Sequence, residues 1–283
     1  MIITEYVEGV RDNVRKARLS DRKIILIPTM GALHDGHLSM ARLAKEGEED
    51  VYIVMSIFVN PLQFGAGEDF AAYPRDLHRD AEMARREDVD LLFVPSAEEM
   101  YSPDSQTTVQ VARLSQGLCG ASRPGHFAGV ATVVAKLLNI VQPDEAFFGQ
   151  KDYQQFAVLR RMAEDLKLPV KLRLAPIVRE PSGLALSSRN AYLSWEEKKD
   201  AAQIYAALLA AAERIREGER DAQAVAEFLR RFIETHAHGR VEYAEVRQKN
   251  DLQPVEAITK PVVLLVAVFV GRTRLIDNLI VEV

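Results

Sequence analysis

Two histidines flank a glycine in the segment from Pro28 to His37, which reads Pro-Thr-Met-Gly-Ala-Leu-His-Asp-Gly-His. The segment follows the apolar, β-branched run from Ile24 to Ile27 and precedes a stretch with helical periodicity. A turn from strand to helix presents unpaired backbone N–H groups and the positive end of a helix dipole, which both attract anions. Because imidazoles add hydrogen-bond donors, the pattern predicts a phosphate-binding turn in which His34 and His37 reach the same group.

Two other interpretations of this histidine pair remain open from the residues alone. Histidines at a helix entrance also occur as caps or as solvated surface residues. A zinc site is a second alternative, although no third ligand lies at the usual metal spacing. The position directly after a buried strand favours the phosphate interpretation.

A second strand-to-helix turn carries Gly149, Gln150, Lys151 and Asp152 after the apolar residues 146–148. A Lys-Asp pair at a helix start is often only solvated. However, open α/β sheets bind their ligands at the carboxyl ends of the strands. We therefore expect this turn and the histidine turn to face one crevice, with Lys151 as a point charge for a phosphate.

Three further groups of polar residues are weaker candidates. Two hydroxyls and a guanidinium follow one another in Leu186-Ser187-Ser188-Arg189-Asn190, which is either an ordinary loop or a mobile clasp over the nucleotide. Gln63 follows a predicted strand and Gln155 opens a predicted helix, and neutral amides suit a hydroxylated or carboxylated substrate. His126, in a glycine-rich turn, is expected to support its neighbours rather than to bind substrate.

The elements around these residues alternate between short apolar strands and amphipathic helices. This alternation predicts an α/β fold with a doubly wound parallel sheet. Strands are predicted at 24–27, 51–59, 90–94, 146–149 and 170–178. Helices are predicted at 36–45, 80–87, 129–141 and 153–166.

The pattern changes after residue 178. Helices are predicted at 196–216 and 222–235, followed by strands at 241–246, 262–270 and 274–281. Helices followed by antiparallel-looking strands predict a separate, smaller α+β domain. We therefore expect a doubly wound domain at 1–177 and a smaller carboxyl-terminal domain at 178–283, from which the segment 186–190 could close over a bound nucleotide.

The amino-acid composition limits the classes of protein to which this chain can belong. The 283 residues are 48% apolar and carry a formal net charge of −5, which gives no electrostatic footprint for nucleic acid or an anionic membrane. The single cysteine, Cys119, permits no intramolecular disulfide, and the amino terminus lacks the pattern of a signal peptide. The longest apolar run, residues 262–270, is too short to span a bilayer. A soluble, cytoplasmic protein is expected.

Several common phosphate and nucleophile motifs are absent from the sequence. It contains neither a P-loop Gly-x-x-x-x-Gly-Lys-Ser/Thr nor a dinucleotide-binding Gly-x-Gly-x-x-Gly after a strand. It also lacks the Gly-x-Ser-x-Gly nucleophile elbow. The phosphate chemistry must therefore depend on the histidine turn.

Taken together, these motifs resemble the pantoate–β-alanine ligase family, the pantothenate synthetases, nearly from end to end. The resemblance is carried by residues 28–37, 57–64, 125–127, 148–155 and 186–190. It implies a Rossmann-like fold of the HxGH nucleotidyl-transferase superfamily, related to the class I aminoacyl-tRNA synthetases, in a homodimer. The implied reaction converts Mg²⁺-ATP and (R)-pantoate into pantoyl adenylate and pyrophosphate, after which β-alanine displaces AMP to give pantothenate.

The resemblance also implies ATP contacts for a set of residues, namely Met30, Gly31, Ala32, Leu33, His34, Asp35, Gly36, His37, Gly149, Gln150, Lys151, Asp152, Val178, Leu186, Ser187, Ser188 and Arg189. Gln150 and Leu186 replace the commoner Glu and Met without removing a catalytic charge.

The resemblance further implies the substrate contacts and catalytic groups. Gln63 would hold pantoate beside β-alanine, and Gln155 would hold pantoate. We expect charge on the phosphates to be stabilised by His34, His37, Lys151 and Arg189, with His37 as the family's assigned proton donor. No protein ligand for the metal is implied, since Mg²⁺ would mainly bridge phosphates.

Two rival functions remain. The first is a nucleotidylyltransferase of the same fold that transfers AMP to a phosphate-bearing acceptor, although the neutral Gln63 and Gln155 argue against such an acceptor. The second is a nucleotide-binding regulator that has lost turnover, although all the charged groups are present.

Overall fold

The structure is a computed structural model that describes residues 1–47, 50–65, 67–68 and 70–283. These residues form two compact units. The first comprises Met1–Gly149 and Val158–Ala175, and the second comprises Gln150–Ala157 and Pro176–Val283. The division into functional domains after residue 177 stays a prediction.

A six-stranded parallel sheet forms the centre of the first unit. Its strands are β1 (Ile2–Thr4), β2 (Lys23–Thr29), β3 (Val51–Ile57), β4 (Leu91–Phe93), β5 (Glu145–Gly149) and β6 (Lys171–Ala175). They lie in the order β1-β4-β3-β2-β5-β6. The central strands β2 and β3 are almost continuously apolar because both faces of the sheet are covered. The predicted doubly wound α/β fold is confirmed.

The helices of this part of the chain are α1 (Val7–Leu19), α2 (Asp35–Lys45), α3 (Leu77–Arg86), α4 (Ala97–Met100), α5 (Cys119–Ser122), α6 (His126–Val141) and α7 (Tyr153–Asp165), the last of which starts in the second unit. The strand order reverses between β2 and β5, which pair directly. Ligands of open α/β sheets bind at such a reversal, beyond the carboxyl ends of the strands. The histidine turn follows β2, and Gly149 ends β5.

The second unit contains α8 (Trp195–Arg216), α9 (Ala222–His236) and an antiparallel sheet of β7 (Arg240–Gln248), β8 (Val262–Val270) and β9 (Thr273–Val281). The helices bury an alanine- and leucine-rich face against the sheet, with Ala207, Leu208 and Leu229 inaccessible to solvent. A short alanine face lets a helix approach the sheet closely. The predicted pair of helices followed by antiparallel strands is confirmed.

Several predicted boundaries are wrong. Helix α3 begins at Leu77 rather than at 80, because the side chain of Asp76 accepts the backbone N–H of Arg79 and caps the helix there. Strand β6 ends at Ala175 rather than at 178, directly before Pro176, whose nitrogen has no hydrogen to donate to a sheet. Strand β1 and helices α1, α4 and α5 were not predicted from the sequence. No helix among the described residues is long and apolar enough to cross a membrane.

Candidate active site

The histidine turn between β2 and α2 has an unusual backbone. Gly31 and Ala32 both have positive φ angles, of +81° and +49°. A Cβ atom on Gly31 would lie 2.9 Å from Cγ2 of Ile57, so the sequence needs glycine at this position for space as well as for conformation. The hydroxyl of Thr29, at the end of β2, accepts the N–H of Gly31 at 3.1 Å. The turn is therefore held in one defined shape.

A buried carboxylate from α3 holds the same turn. The two oxygens of Asp80 accept the backbone N–H groups of Ala32 and Leu33, each at 2.8 Å. Burial raises the pKa of Asp80, and the two backbone hydrogen bonds act in the opposite direction. Asp80 was not among the predicted functional residues, because an aspartate near the start of a helix is usually a solvated or capping group.

The two histidines cap α2. Nδ1 of His34 accepts the N–H of Gly36 at 3.2 Å, and Nδ1 of His37 accepts the N–H of His34 at 3.4 Å. The ring centroids lie 4.0 Å apart. A backbone N–H is always the donor, so Nδ1 carries no proton in either ring, and the neutral tautomer carries its proton on Nε2. The capping role and a phosphate role are therefore compatible, because they use opposite ring nitrogens.

Asp35 is neutralised within its own helix. Its carboxylate lies 2.6 Å from the guanidinium of Arg42, which also pairs with Glu87 at 2.5 Å. An anionic ligand at the start of α2 thus meets an aspartate whose charge is offset by arginine. The N–H of Gly36 is already donated to His34, so it is the helix dipole at this end of α2 that favours an anion.

Gln63 ends a short 3₁₀-helix, Pro61–Gln63, after β3. Its Nε2 lies 2.7 Å from Sδ of Met30, so the structure brings these two candidate residues together. Its Oε1 accepts Nδ2 of Asn60 at 3.2 Å. Asn60 is almost fully buried, and its own Oδ1 accepts the hydroxyl of Tyr101 at 2.8 Å. The amide of Gln63 is therefore oriented by a buried network that the sequence did not reveal.

The backbone carbonyl of Gln63 has a separate partner, His126. Nδ1 of His126 lies 2.8 Å from this oxygen, and Nε2 of the same ring lies 3.0 Å from Nη1 of Arg123. The ring thus links the backbone of Gln63 to the guanidinium of Arg123. Arg123 also forms a double ion pair with Glu68. The geometry agrees with the expected supporting role of His126.

Gln150, Lys151 and Asp152 of the Lys151 turn belong to the second unit, whereas Gly149 ends β5 and belongs to the first unit. Gln150–Asp152 form a 3₁₀-helix that leads directly into α7. The ammonium group of Lys151 lies 3.9 Å from the carboxylate of Asp152. Gln155 is half-buried on the first turn of α7, where the hydroxyl of Tyr153 donates to the carbonyl of Lys249 at 2.7 Å and anchors the helix.

The segment from Val178 to Leu186 forms a small hairpin in the same unit. The N–H of Leu186 donates to the carbonyl of Val178 at 3.0 Å, and Arg179 and Ala185 form an antiparallel bridge. These contacts bring together two residues for which the resemblance implies ATP contacts. The turn of the hairpin passes through Gly183 at a φ of +94°.

The hairpin continues into another 3₁₀-helix, Ser188–Tyr192. The hydroxyl of Ser187 caps this helix by accepting the N–H of Arg189 at 3.3 Å. The buried side chain of Asn190 donates to the carbonyl of Ala185 at 3.1 Å and ties the helix to the hairpin. Ser187, Ser188 and Arg189 thus lie on an ordered turn, and their role as a mobile clasp stays a prediction.

Within the described ranges, no group of three or more His, Cys, Asp or Glu side chains has an arrangement that could hold a metal ion. Mg²⁺ usually keeps several waters and binds through substrate phosphates with one or two carboxylates. The carboxylate of Asp152 is about half exposed and is the kind of single ligand that such a metal uses.

Comparisons with known proteins agree over the whole chain. A family model described as pantoate-beta-alanine ligase matches residues 2–280. The pantothenate synthetase of Thermosipho africanus (strain TCF52B) is 52% identical over 281 residues, covering 99% of this chain and 100% of that protein. That of Moorella thermoacetica is 50% identical over 283 residues, covering 100% of this chain and 99% of that protein.

Solved structures give the same result. The pantothenate synthetase from Thermus thermophilus has a TM-score of 0.92 and 43% identity, with 99% of each chain covered. The pantoate-beta-alanine ligase from Francisella tularensis, solved with beta-gamma ATP and beta-alanine, has a TM-score of 0.79 and 34% identity, covering 99% of this chain and 97% of that chain. Because sequence and fold both match from end to end, this chain belongs to the pantoate–β-alanine ligase family of enzymes.

Proposed function

We propose that this enzyme condenses (R)-pantoate with β-alanine to pantothenate, using ATP and passing through an enzyme-bound pantoyl adenylate. The proposal rests above all on the histidine turn, where backbone N–H groups donate to Nδ1 of two imidazoles that stand together at a helix N-terminus. The family supplies the substrates, and the Francisella tularensis relative was solved with beta-gamma ATP and beta-alanine.

In the first step a carboxylate oxygen of pantoate attacks the α-phosphorus of ATP. The bond from that phosphorus to the bridging oxygen breaks, and pyrophosphate leaves with the electron pair. Since the substrate is itself the nucleophile, the protein needs to supply only alignment and charge stabilisation. This requirement explains a site without an activated serine or cysteine.

Four side chains and a helix N-terminus would stabilise the charge on the phosphates. The Nε2–H groups of His34 and His37 would donate to phosphate oxygens, and the role of His37 as proton donor is consistent with a proton on Nε2. Lys151 would act as a point charge and Arg189 as a planar, multidentate donor. Mg²⁺, held mainly by the phosphates and at most by a carboxylate such as Asp152, would neutralise phosphate charge when bound.

Gln63 would hold pantoate beside β-alanine, and Gln155 would hold pantoate. The side-chain amide of Gln63 is oriented by Asn60, and the backbone carbonyl of Gln63 is held by His126. A neutral, oriented amide suits the hydroxyl and carboxylate groups of pantoate better than it suits a phosphate. This chemistry favours the ligase over a nucleotidylyltransferase with a phosphate-bearing acceptor.

In the second step the neutral amine of β-alanine attacks the acyl carbon of the adenylate. The acyl C–O bond breaks, AMP leaves with the bonding electron pair, and the nitrogen loses its extra proton. The mixed anhydride must be shielded from water until the amine arrives. The carboxyl-terminal domain, with Ser187 to Arg189, is proposed to provide that shielding by closing over the nucleotide.

The test is the identity of the products. Purified protein with ATP, pantoate and β-alanine should release AMP and pyrophosphate in amounts equal to the pantothenate formed. Release of ADP and orthophosphate would refute the proposal. Transfer of AMP to a phosphorylated acceptor would favour the nucleotidylyltransferase, and tight ATP binding without pyrophosphate release would favour a regulator.

We also propose that the enzyme acts as a homodimer, as the resemblance to the family implies, and that it is cytoplasmic and has no nucleic-acid or membrane partner, as expected from its composition. Analytical ultracentrifugation of the purified protein tests the oligomeric state. A monomer at micromolar concentration would contradict the dimer.

A further inference from the structure

Strand β9 carries two adjacent buried polar residues that the proposed chemistry does not use. Asp277 is 5% exposed and Asn278 is 1% exposed. Successive side chains of a strand point to opposite faces of the sheet, so the two residues meet different partners. A buried carboxylate or carboxamide destabilises the fold unless its polar atoms are paired.

Asn278 binds the Lys151 turn. Its Nδ2 donates to the carbonyl of Gln150 at 2.8 Å and to the carbonyl of Lys151 at 3.0 Å. Its Oδ1 accepts Nε2 of Gln150 at 3.2 Å. One side chain thus holds two successive backbone carbonyls that are 128 and 127 residues away in the chain, and all three bonds go to the same turn.

Asp277 holds the neighbouring hairpin from the other face of β9. Its oxygens lie 2.6 and 2.8 Å from the guanidinium of Arg179, whose Cζ lies 3.6 Å from the ring centroid of Tyr205. Asp277 also accepts the backbone N–H of Asn278 at 2.7 Å. Arg179 directly follows Val178, one of the residues for which ATP contact is implied.

The positive charge of Lys151 affects the ionisation of Asp277. Burial raises the pKa of Asp277, whereas the ion pair with Arg179 and the nearby charge of Lys151 lower it. The ammonium group of Lys151 therefore lies within electrostatic range of Asp277. The hydrogen bonds of Asn278 to the Lys151 turn carry the argument, and the charge effect on Asp277 agrees with them.

We propose that Asn278 is a positioning residue for Lys151. Asn278 fixes the backbone of the Gln150–Asp152 turn so that the ammonium group of Lys151 meets the phosphates of ATP. The inference rests on the proposed phosphate contact of Lys151. Asn278 touches neither substrate nor reacting atom, and it acts through the two carbonyls that it binds. Alanine at this position leaves both carbonyls without that donor, and the lysine then samples other positions.

The experiment is a double-mutant cycle with Asn278→Ala, Lys151→Ala and the double variant. We measure KM for ATP and for β-alanine, kcat, and binding of a non-hydrolysable ATP analogue by calorimetry. Asn278→Ala should raise KM for ATP and the Kd of the analogue by at least about fivefold, with KM for β-alanine changed by less than about twofold. In the Lys151→Ala background the same substitution should have almost no further effect.

The matched control is Asn139→Ala, which removes an exposed asparagine that donates to a backbone carbonyl at 2.9 Å within α6. It should leave all constants unchanged. If Asn278→Ala does not fold, Asn278→Ser, which keeps one hydroxyl donor, replaces it in the cycle. Effects on ATP binding that add in the double variant, or a lower melting temperature with unchanged ATP constants, would overturn the positioning role.

The ligase function and the positioning role of Asn278 can be refuted independently of each other. A wild-type protein that forms no AMP would refute the ligase function, while calorimetry of the same four proteins would still decide the role of Asn278. Coupled effects on ATP binding would support positioning, and independent effects would overturn it.

Discussion

The carboxylate of Asp80 accepts the backbone N–H of Leu33 at 2.8 Å, across 47 residues of sequence. Its second oxygen accepts the N–H of Ala32, a non-glycine residue with a positive φ angle. Such a conformation persists only where the surrounding structure enforces it. The shape of the histidine turn therefore depends on a residue of α3 as well as on its own sequence.

Asp80→Asn should impair catalysis because an amide keeps one acceptor oxygen and turns an N–H₂ group towards the other backbone N–H. We expect kcat/KM for ATP to fall at least about tenfold, or ~1.4 kcal/mol of transition-state stabilisation, in steady-state assays. Asp12→Asn, the same change at an exposed position on α1, should have no effect. Wild-type kinetics in Asp80→Asn would show that the turn keeps its shape without the carboxylate.

Substitutions of His34 separate capping from catalysis. Asparagine is a favourable N-cap and places an oxygen near the position of Nδ1, but it has no equivalent of the Nε2–H group. His34→Asn should therefore keep the free energy of unfolding within ~0.5 kcal/mol of wild type, whereas His34→Ala should lose ~1 kcal/mol in urea titrations. Both variants should lose at least about tenfold in kcat. Normal turnover in His34→Asn would mean that the histidine is only a cap.

Tyr101→Phe tests the network behind Gln63. Burial raises the pKa of Tyr101 to about 12, so its hydroxyl stays protonated at assay pH and donates to Asn60. Without it, Asn60 orients Gln63 less firmly. We expect KM for pantoate to rise about two- to tenfold, the equivalent of one hydrogen bond, with KM for ATP unchanged. Tyr6→Phe, at an exposed position, is the control, and an effect on KM for ATP alone would argue against this network.

Glu68 should give the protein a defined pH dependence of stability. The hydrogen bond from Arg123 lowers the pKa of Glu68 below its unfolded value of about 4.3. Because the folded pKa is the lower one, the stabilisation is complete above that unfolded value and disappears as the pH falls through the folded pKa. The difference in free energy of unfolding between wild type and Glu68→Gln should be constant from about pH 7 to pH 5 and shrink below about pH 4.

Urea titrations at a series of pH values measure this difference. Glu8→Gln, which changes an exposed glutamate on α1, serves as the control and should differ little from wild type throughout. A difference between wild type and Glu68→Gln that persists unchanged at about pH 3 would show that the carboxylate contributes nothing through its charge.

The sequence predicted the elements that have local patterns. The histidine turn after β2, the Lys151 turn after β5 and strand β8 all follow from apolar runs with polar residues at their ends. Helix α1 was missed, although its buried residues Val10, Val14 and Ala17 have helical spacing. Its remaining residues are mostly charged, and no motif drew attention to it.

The supporting residues of the site could not be predicted in this way. Asp80, Asn60 and Asn278 are buried polar side chains whose partners lie far away in the sequence. Polar residues of the same types usually lie at helix starts and in loops, so type and spacing alone indicate solvent exposure. Only the fold brings them to the backbone groups that they hold.

The most direct test of a pantoyl adenylate follows one oxygen atom. Pantoate labelled with a heavy oxygen isotope in its carboxylate is converted with ATP and β-alanine, and the nucleotide product is analysed by mass spectrometry. We expect AMP with one labelled oxygen, because the attacking oxygen stays on phosphorus when the amine breaks the acyl C–O bond. AMP without label, or ADP with labelled orthophosphate, would contradict the adenylate.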